Sequence, residues 1–92
     1  MARDDLRVDC AAIRGDDGVI YSEARPGRHH DVIALARRLG YQGLVSGDRQ
    51  GFLLSDGRFA RRRRALHIAQ RAGQLIREPT APAHGLFSED VW

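Results

Sequence analysis

Apolar and polar positions follow two different periods in the first half of the chain. Over residues 6–13 they alternate almost one by one, and the alternation resumes at residues 19–21; a period of two is typical of β-strands. The Asp-Gly turn at residues 15–18 joins them, which predicts a β-hairpin. Over residues 29–39 the apolar positions recur at helical spacing, and Gly40 is placed to end a helix there.

The second half repeats the order of two strands and a helix. Residues 50–54 and 58–59 are strand candidates on either side of a Ser-Asp-Gly turn, and a further short strand is predicted at 44–45. An apolar helical stripe runs over residues 60–72 and stops at Gly73. The order β-β-α-β-β-α over residues 1–77 predicts an α+β domain with a small antiparallel sheet and two helices.

Residues 78–92 are predicted to form a linker followed by a docking C-terminal tail. Prolines and glycines mark residues 78–85, whereas the segment LFSEDVW at 86–92 contains two of the chain's aromatic residues. A solvated tail has little use for Phe87, Val91 and Trp92, so we expect this segment to dock on its own domain or on a neighbouring subunit. Because a chain of 92 residues leaves apolar surface uncovered, we also expect a homo-oligomer.

The composition limits the class of protein and the cellular compartment that we expect. No apolar run approaches the length of a membrane span, and the first residues do not resemble a signal peptide. The single cysteine, Cys10, has no internal disulfide partner, so we expect a soluble protein of a reducing cytoplasm. All 15 basic residues are arginine, and the formal net charge is only +3. Any binding of anions must therefore come from local clustering of arginines.

The sharpest cluster is the unbroken arginine run at residues 61–64, at the start of the second predicted helix. A helix N-terminus carries partial positive charge, so four more cations there are unfavourable unless an anion lies nearby. Guanidinium groups beside exposed backbone N–H groups form a phosphate site. Alternatively, Glu89 and Asp90 of the tail or Asp56 neutralise the run, or its side chains extend into water.

A second cluster, Arg-His-His-Asp at residues 28–31, lies where a loop enters the first helix. It can bind phosphate, while Asp31 can equally cap the helix. Neither cluster supplies a metal-ligand set or a nucleophile with its base, so we expect no metal, cofactor or catalytic site. A small phosphodiesterase using His29, His30 and Asp31 is a minor hypothesis. If both helix starts face the same side, Phe59 or Tyr41 can provide a stacking surface for a base.

Four segments in series resemble a set of small bacteriophage proteins: RHHDVI at 28–33, GFLLSDGRF at 51–59, AGQ at 72–74 and LFSEDVW at 86–92. This set is similar in size, element order and arginine-lined sites to the phage anti-Thoeris sponge family. The resemblance implies a non-enzymatic oligomer in the host bacterial cytoplasm that sequesters a cyclic ADP-ribose isomer or a cyclic oligonucleotide without turning it over. The positions that it implies as ligand-binding are Arg28, His29, His30, Arg58, Phe59, Arg62 and Gln74.

A second hypothesis is a protein inhibitor or nucleic-acid-binding protein such as an anti-CRISPR. The arginine run and Arg71 give the second helix a basic character suited to a phosphate backbone. The sequence nevertheless lacks a helix-turn-helix or another nucleic-acid motif, and acidic residues occupy both ends of the chain. Sequestration of a nucleotide is therefore the first prediction and nucleic-acid binding the second.

Overall fold

Four strands and two helices follow one another in the order β-β-α-β-β-α, which confirms the predicted α+β fold. A computed structural model describes residues 6–92. Two short 3-10 turns, at Gly47–Arg49 and Ser88–Asp90, supplement the regular elements. The strands and helices are β1 Val8–Arg14, β2 Ile20–Glu23, α1 His29–Arg38, β3 Gln50–Leu54, β4 Phe59–Arg61 and α2 Arg62–Arg71.

Both helices pack on the same face of one antiparallel sheet, whose strand order is β2-β1-β3-β4. Helix α1 packs on Ala11 and Ile13, and α2 packs on Phe52 and Leu54. Ala11 and Phe52 are direct partners across β1 and β3, so their side chains share a face. The opposite face of the sheet is therefore left without a helix.

A bulge in β1 changes the face that the sequence pattern assigns to its residues. The register between β1 and β3 shifts between Val8 and Cys10. The extra residue lets Val8, Ala11 and Ile13 all join the core beneath the helices. The simple alternation predicted Val8, Cys10 and Ala12 on one face of the sheet. This prediction is wrong for Cys10 and Ala12, which follow the bulge and lie on the opposite face from Val8.

Gln74 holds the main chain of β1 at Val8, the residue where the register shifts. Its side-chain Nε2 donates to the Val8 carbonyl, and its Oε1 accepts from the Val8 N–H, both at 2.8 Å. Val8 is fully buried, and Gln74 supplies a partner for both its N–H and its carbonyl. The clamp ties the segment after α2 to the first strand.

We expect Gln74→Ala to lower the free energy of unfolding by about 2 kcal/mol or more, because it leaves a buried N–H and a buried carbonyl without partners. Chemical denaturation followed by circular dichroism measures the change. Gln70→Ala is the matched control, since Gln70 is exposed on α2. Equal stability of the two variants would contradict the clamp.

One predicted strand and one predicted helix start are wrong. Residues 44–45 form no strand; Leu44 is held instead by its carbonyl, which accepts from the Tyr41 hydroxyl at 2.8 Å. The second helix begins at Arg62 and not at residue 60, because Ala60 and Arg61 pair with β3 and belong to β4. The arginine run is thereby divided between the last residue of a strand and the first turn of a helix.

The tail at residues 86–92 packs on its own domain. Leu86 and Val91 are buried in the cluster beneath α2, and Trp92 packs against both core clusters. The Leu86 N–H donates to the Arg62 carbonyl at 2.8 Å, and a Cβ on Gly85 would overlap the main chain of Arg62. The tail thus lies directly against the start of α2.

Within residues 6–92, neither helix has the length and apolar character that crossing a membrane requires.

Candidate anion-binding groove

Arg62 carries a half-buried positive charge that is surrounded mainly by neutral groups. Its guanidinium donates to the Leu86 carbonyl at 2.8 Å and to Gln50 Oε1 at 2.7 Å, and it lies 4.2 Å from the centre of the Phe87 ring. Burial lowers the pKa of Arg62, and the charges of Glu89 and Asp90 oppose that shift. Among the described residues no carboxylate forms a direct ion pair with this guanidinium. An additional anion beside it is electrostatically favourable.

Arg61 and Arg63 flank this charge, and both side chains are exposed. Neither forms a side-chain hydrogen bond or ion pair with any residue of 6–92. With Arg62 they line an open depression of about 600 Å³, which we call the arginine groove. Its other lining residues are Gly47, Asp48, Gln50, Ala83, His84 and Phe87. Three arginines face one carboxylate, so the groove is strongly positive.

A smaller depression of about 250 Å³ adjoins the groove across Arg62 and Phe87, and it brings together four of the seven predicted ligand residues. Its lining consists of Arg28, His29, His30, Arg62, Phe87, Ser88 and Glu89. The Arg28 guanidinium already donates to Ser88 Oγ at 3.1 Å and to the Trp92 carbonyl at 2.7 Å. Arg28 therefore fastens the tail, and Glu89 makes this depression less suited to an anion than the arginine groove.

The two adjacent histidines have different environments. His29 is buried; its Nε2 lies 2.6 Å from the Gly51 carbonyl, to which it donates, and its ring packs edge-on against Phe52. Burial, reinforced by the charge of Arg62, lowers the pKa of His29 to about 4. His30 is exposed and lies 3.3 Å from Asp31, whose carboxylate accepts the Arg28 N–H and closes the start of α1. Of the pair, His30 is the one whose side chain reaches solvent.

The depressed pKa of His29 predicts a pH-dependent stability. Between pH 6.5 and about 4 the unfolded chain binds a proton at this imidazole and the folded chain does not. Stability is therefore lost as the pH falls through this window, by about 3 kcal/mol in total. Urea denaturation of wild type and His29→Gln at several pH values should show a shallower dependence in the variant. His30→Gln is the control and should keep the wild-type slope; a wild-type slope in His29→Gln would disprove the assignment.

The remaining predicted ligand residues lie outside the lining of both depressions. Arg58 belongs to the turn before β4, where its Nε donates to Asp56 at 2.9 Å, and the hydrogen bonds from Arg58 lower the pKa of Asp56. Gln74 is committed to Val8. Phe59 lines a third depression on the sheet, beside Arg61. Sequence reasoning missed His84 and Gln50 as groove residues, since both come from segments far from the arginine run.

Fold and groove together define a small α+β protein with an arginine-lined depression at the start of its second helix. The chain belongs to the phage T4 y16D protein family, whose model matches residues 7–92. This membership supports the predicted origin among small bacteriophage proteins, while the resemblance to the anti-Thoeris sponges stays a prediction. No curated protein and no solved structure matches the chain. Within residues 6–92, no three histidine, cysteine or acidic side chains are grouped so that they could hold a metal ion.

Proposed function

We propose that this phage protein binds a phosphorylated nucleotide signal of its host in the arginine groove and sequesters it without turning it over. The observation that carries the proposal is the half-buried Arg62, whose hydrogen-bond partners are neutral and whose neighbours Arg61 and Arg63 project without partners among the described residues. A phosphate in the groove supplies the missing negative charge. Guanidinium groups bind phosphate oxygens in pairs, which gives direction as well as attraction.

The same groove offers a surface for a base or a ribose. The ring of Phe87 and the guanidinium of Arg62 stack on one another at the edge of the groove. Planar groups of this kind stack readily on nucleobases. Asp48 and His84, also in the lining, supply polar groups for hydroxyls. The groove thus combines the contacts that a nucleotide needs, and its volume of about 600 Å³ lies within the usual range for small-ligand sites.

Sequestration requires affinity and slow release, and it requires no reacting group. The resemblance to the sponge family suggests a cyclic ADP-ribose isomer or a cyclic oligonucleotide as the signal. A homo-oligomer in the host cytoplasm remains part of the proposal, because a groove open on one side would be closed by a neighbouring subunit.

The test is recovery of intact ligand. The purified protein is incubated with cyclic ADP-ribose isomers and with cyclic di- and trinucleotides, separated from free ligand, and denatured by heat; mass spectrometry then identifies what is released. We expect one of these nucleotides to be retained and released unchanged. Retention of none would refute sequestration, and release of a cleaved product would identify an enzyme instead.

A further inference from the structure

The face of the sheet opposite the helices carries its own cluster of apolar and basic side chains. Side chains alternate across a strand, and the pairing of β1, β3 and β4 places the following residues together on that face: Cys10, Ala12, Arg14, Gly51, Leu53, Phe59 and Arg61. We call it the outer face. Leu53 and Phe59 are direct cross-strand partners, and both are half-buried. The outer face therefore presents a partly exposed apolar strip.

Phe59 lies against the main chain of the neighbouring strand. A Cβ added to Gly51 would lie 2.8 Å from the tip of the Phe59 ring, so the glycine makes room for this position of the ring. Gly51 itself is buried, whereas the ring keeps part of its surface in solvent. A ring that rests on a strand and keeps part of its surface in solvent is a platform on which a planar group can stack.

Basic residues surround this platform. Arg14, Arg49 and Arg61 line a depression of about 230 Å³ together with Phe59, Ser46 and Asp48. None of the three arginines forms a side-chain hydrogen bond or ion pair with residues 6–92. Asp48 is the one carboxylate in this lining, so the depression has an excess of positive charge.

The excess positive charge of the outer face determines which kind of partner can bind there. A second copy of the chain, docked symmetrically on this face, would bring two sets of unpaired arginines together, and like charges at an interface are costly. A polyanion gains from the same arrangement. Duplexes keep their base faces stacked inside, whereas single strands can place a base on an aromatic ring while basic residues hold the phosphates.

We propose that the outer face binds single-stranded nucleic acid, with a base stacked on Phe59. Phosphates on either side of that base contact Arg14, Arg49 and Arg61. This interaction goes beyond the proposed sequestration of a nucleotide and uses a different aromatic residue. The two surfaces adjoin at Arg61 and Asp48, so variants at these two positions would not separate them.

Fluorescence anisotropy with a labelled oligouridylate of about 12 nucleotides, titrated with the purified protein at low salt, tests the proposal. We expect salt-sensitive binding to wild type. Phe59→Leu should weaken it by roughly 5- to 150-fold, the fold-change that corresponds to about 1–3 kcal/mol for one stacked base, and Phe59→Trp should retain it. Arg49→Gln should reduce both the affinity and the salt dependence, whereas Arg38→Gln, the matched control on α1, should leave both unchanged.

Three results would overturn the proposal: no binding at low salt, equal binding by Phe59→Leu and wild type when circular dichroism shows both folded, or equally tight binding of a duplex of the same length. The outcomes for the two surfaces are separable. Retention of a cyclic nucleotide without oligouridylate binding would refute only the proposed binding of single-stranded nucleic acid at the outer face. Oligouridylate binding without retention of any cyclic nucleotide would refute only the proposed binding of a nucleotide in the arginine groove.

Discussion

Asp90→Ala is expected to lower the free energy of unfolding by about 3–5 kcal/mol, because its buried carboxylate accepts several hydrogen bonds and each bond to a charged group contributes about 1.5–3 kcal/mol before water competes. The Asp90 side chain is fully buried. Its carboxylate accepts from the Phe87 N–H at 3.0 Å, from the N–H and the hydroxyl of Thr80 at 3.1 and 2.7 Å, and from Arg77 Nε at 3.4 Å. Alanine removes the acceptor that the Phe87, Thr80 and Arg77 donors share.

The pKa of Asp90 gives the expected sign of the pH dependence. Burial alone would raise this pKa, but the hydrogen bonds from Thr80, Phe87 and Arg77 outweigh it and leave the pKa below its ordinary value. Asp90 therefore stabilises the fold above the ordinary aspartate pKa, and this contribution is lost as the pH falls through the lower, folded value.

Urea denaturation followed by the fluorescence of Trp92, the one tryptophan of the chain, measures the loss at neutral pH. Asp90→Asn should be less harmful than Asp90→Ala, because the amide oxygen keeps an acceptor. Glu89→Ala is the matched control, since Glu89 is an exposed acid in the same turn. Stability of Asp90→Ala close to that of Glu89→Ala would contradict this role of the carboxylate.

The docked tail also contributes residues to the arginine groove. Asp90 ties Thr80 to Phe87, while the tail supplies the Leu86 carbonyl and the Phe87 ring that hold the Arg62 guanidinium. Because residues 80–87 also contribute His84 to the groove, loosening Asp90 should deform the groove as well as weaken the fold.

The second large effect that we expect is on the affinity of the arginine groove for its nucleotide. Replacing Arg61 and Arg63 together with glutamine should weaken the affinity for the retained nucleotide roughly 100-fold or more, because each charge-assisted hydrogen bond to phosphate contributes about 1.5–3 kcal/mol. Arg62 is left intact in this variant, since it also holds the tail. Both substituted side chains are exposed and form no side-chain hydrogen bond or ion pair within residues 6–92.

Arg38→Gln with Arg64→Gln is the matched control. It removes the same two charges from exposed positions, and neither residue lines the groove. Isothermal titration calorimetry on both double variants separates a local contact from a general electrostatic effect. Equal weakening in the two would show that net charge, and not the groove, governs binding.

The period of apolar positions predicted the elements well, because each hairpin and helix depends on local spacing. Helix α1 begins at His29 as predicted and ends one residue before the predicted boundary. The bulge between Val8 and Cys10 was missed because it is set by the pairing of β1 with β3, which lies some forty residues away in the chain. Likewise, pairing with β3 and not helix propensity assigns Ala60 and Arg61 to β4.

The candidate site was harder to predict, because the type of a polar residue does not show whether its side chain faces a ligand or forms hydrogen bonds within its own chain. Gln74 and Arg28 both bind main-chain groups more than 60 residues distant in sequence. Arg62 was identified from the run, but its neutral environment depends on Gln50 and the tail. His84 has no motif around it and enters the groove only through the folding of the linker.

The proposed function requires that a phosphorylated nucleotide bind between Arg61, Arg63 and Phe87. Titrating cyclic ADP-ribose isomers and cyclic dinucleotides into isotopically labelled protein, with backbone amide and arginine side-chain NMR signals recorded, tests the claim most directly. We expect one ligand to shift the Arg61 and Arg63 guanidinium signals and the amides around His84 and Phe87. Absence of shifts with every ligand, or shifts centred away from the arginine groove, would contradict the claim.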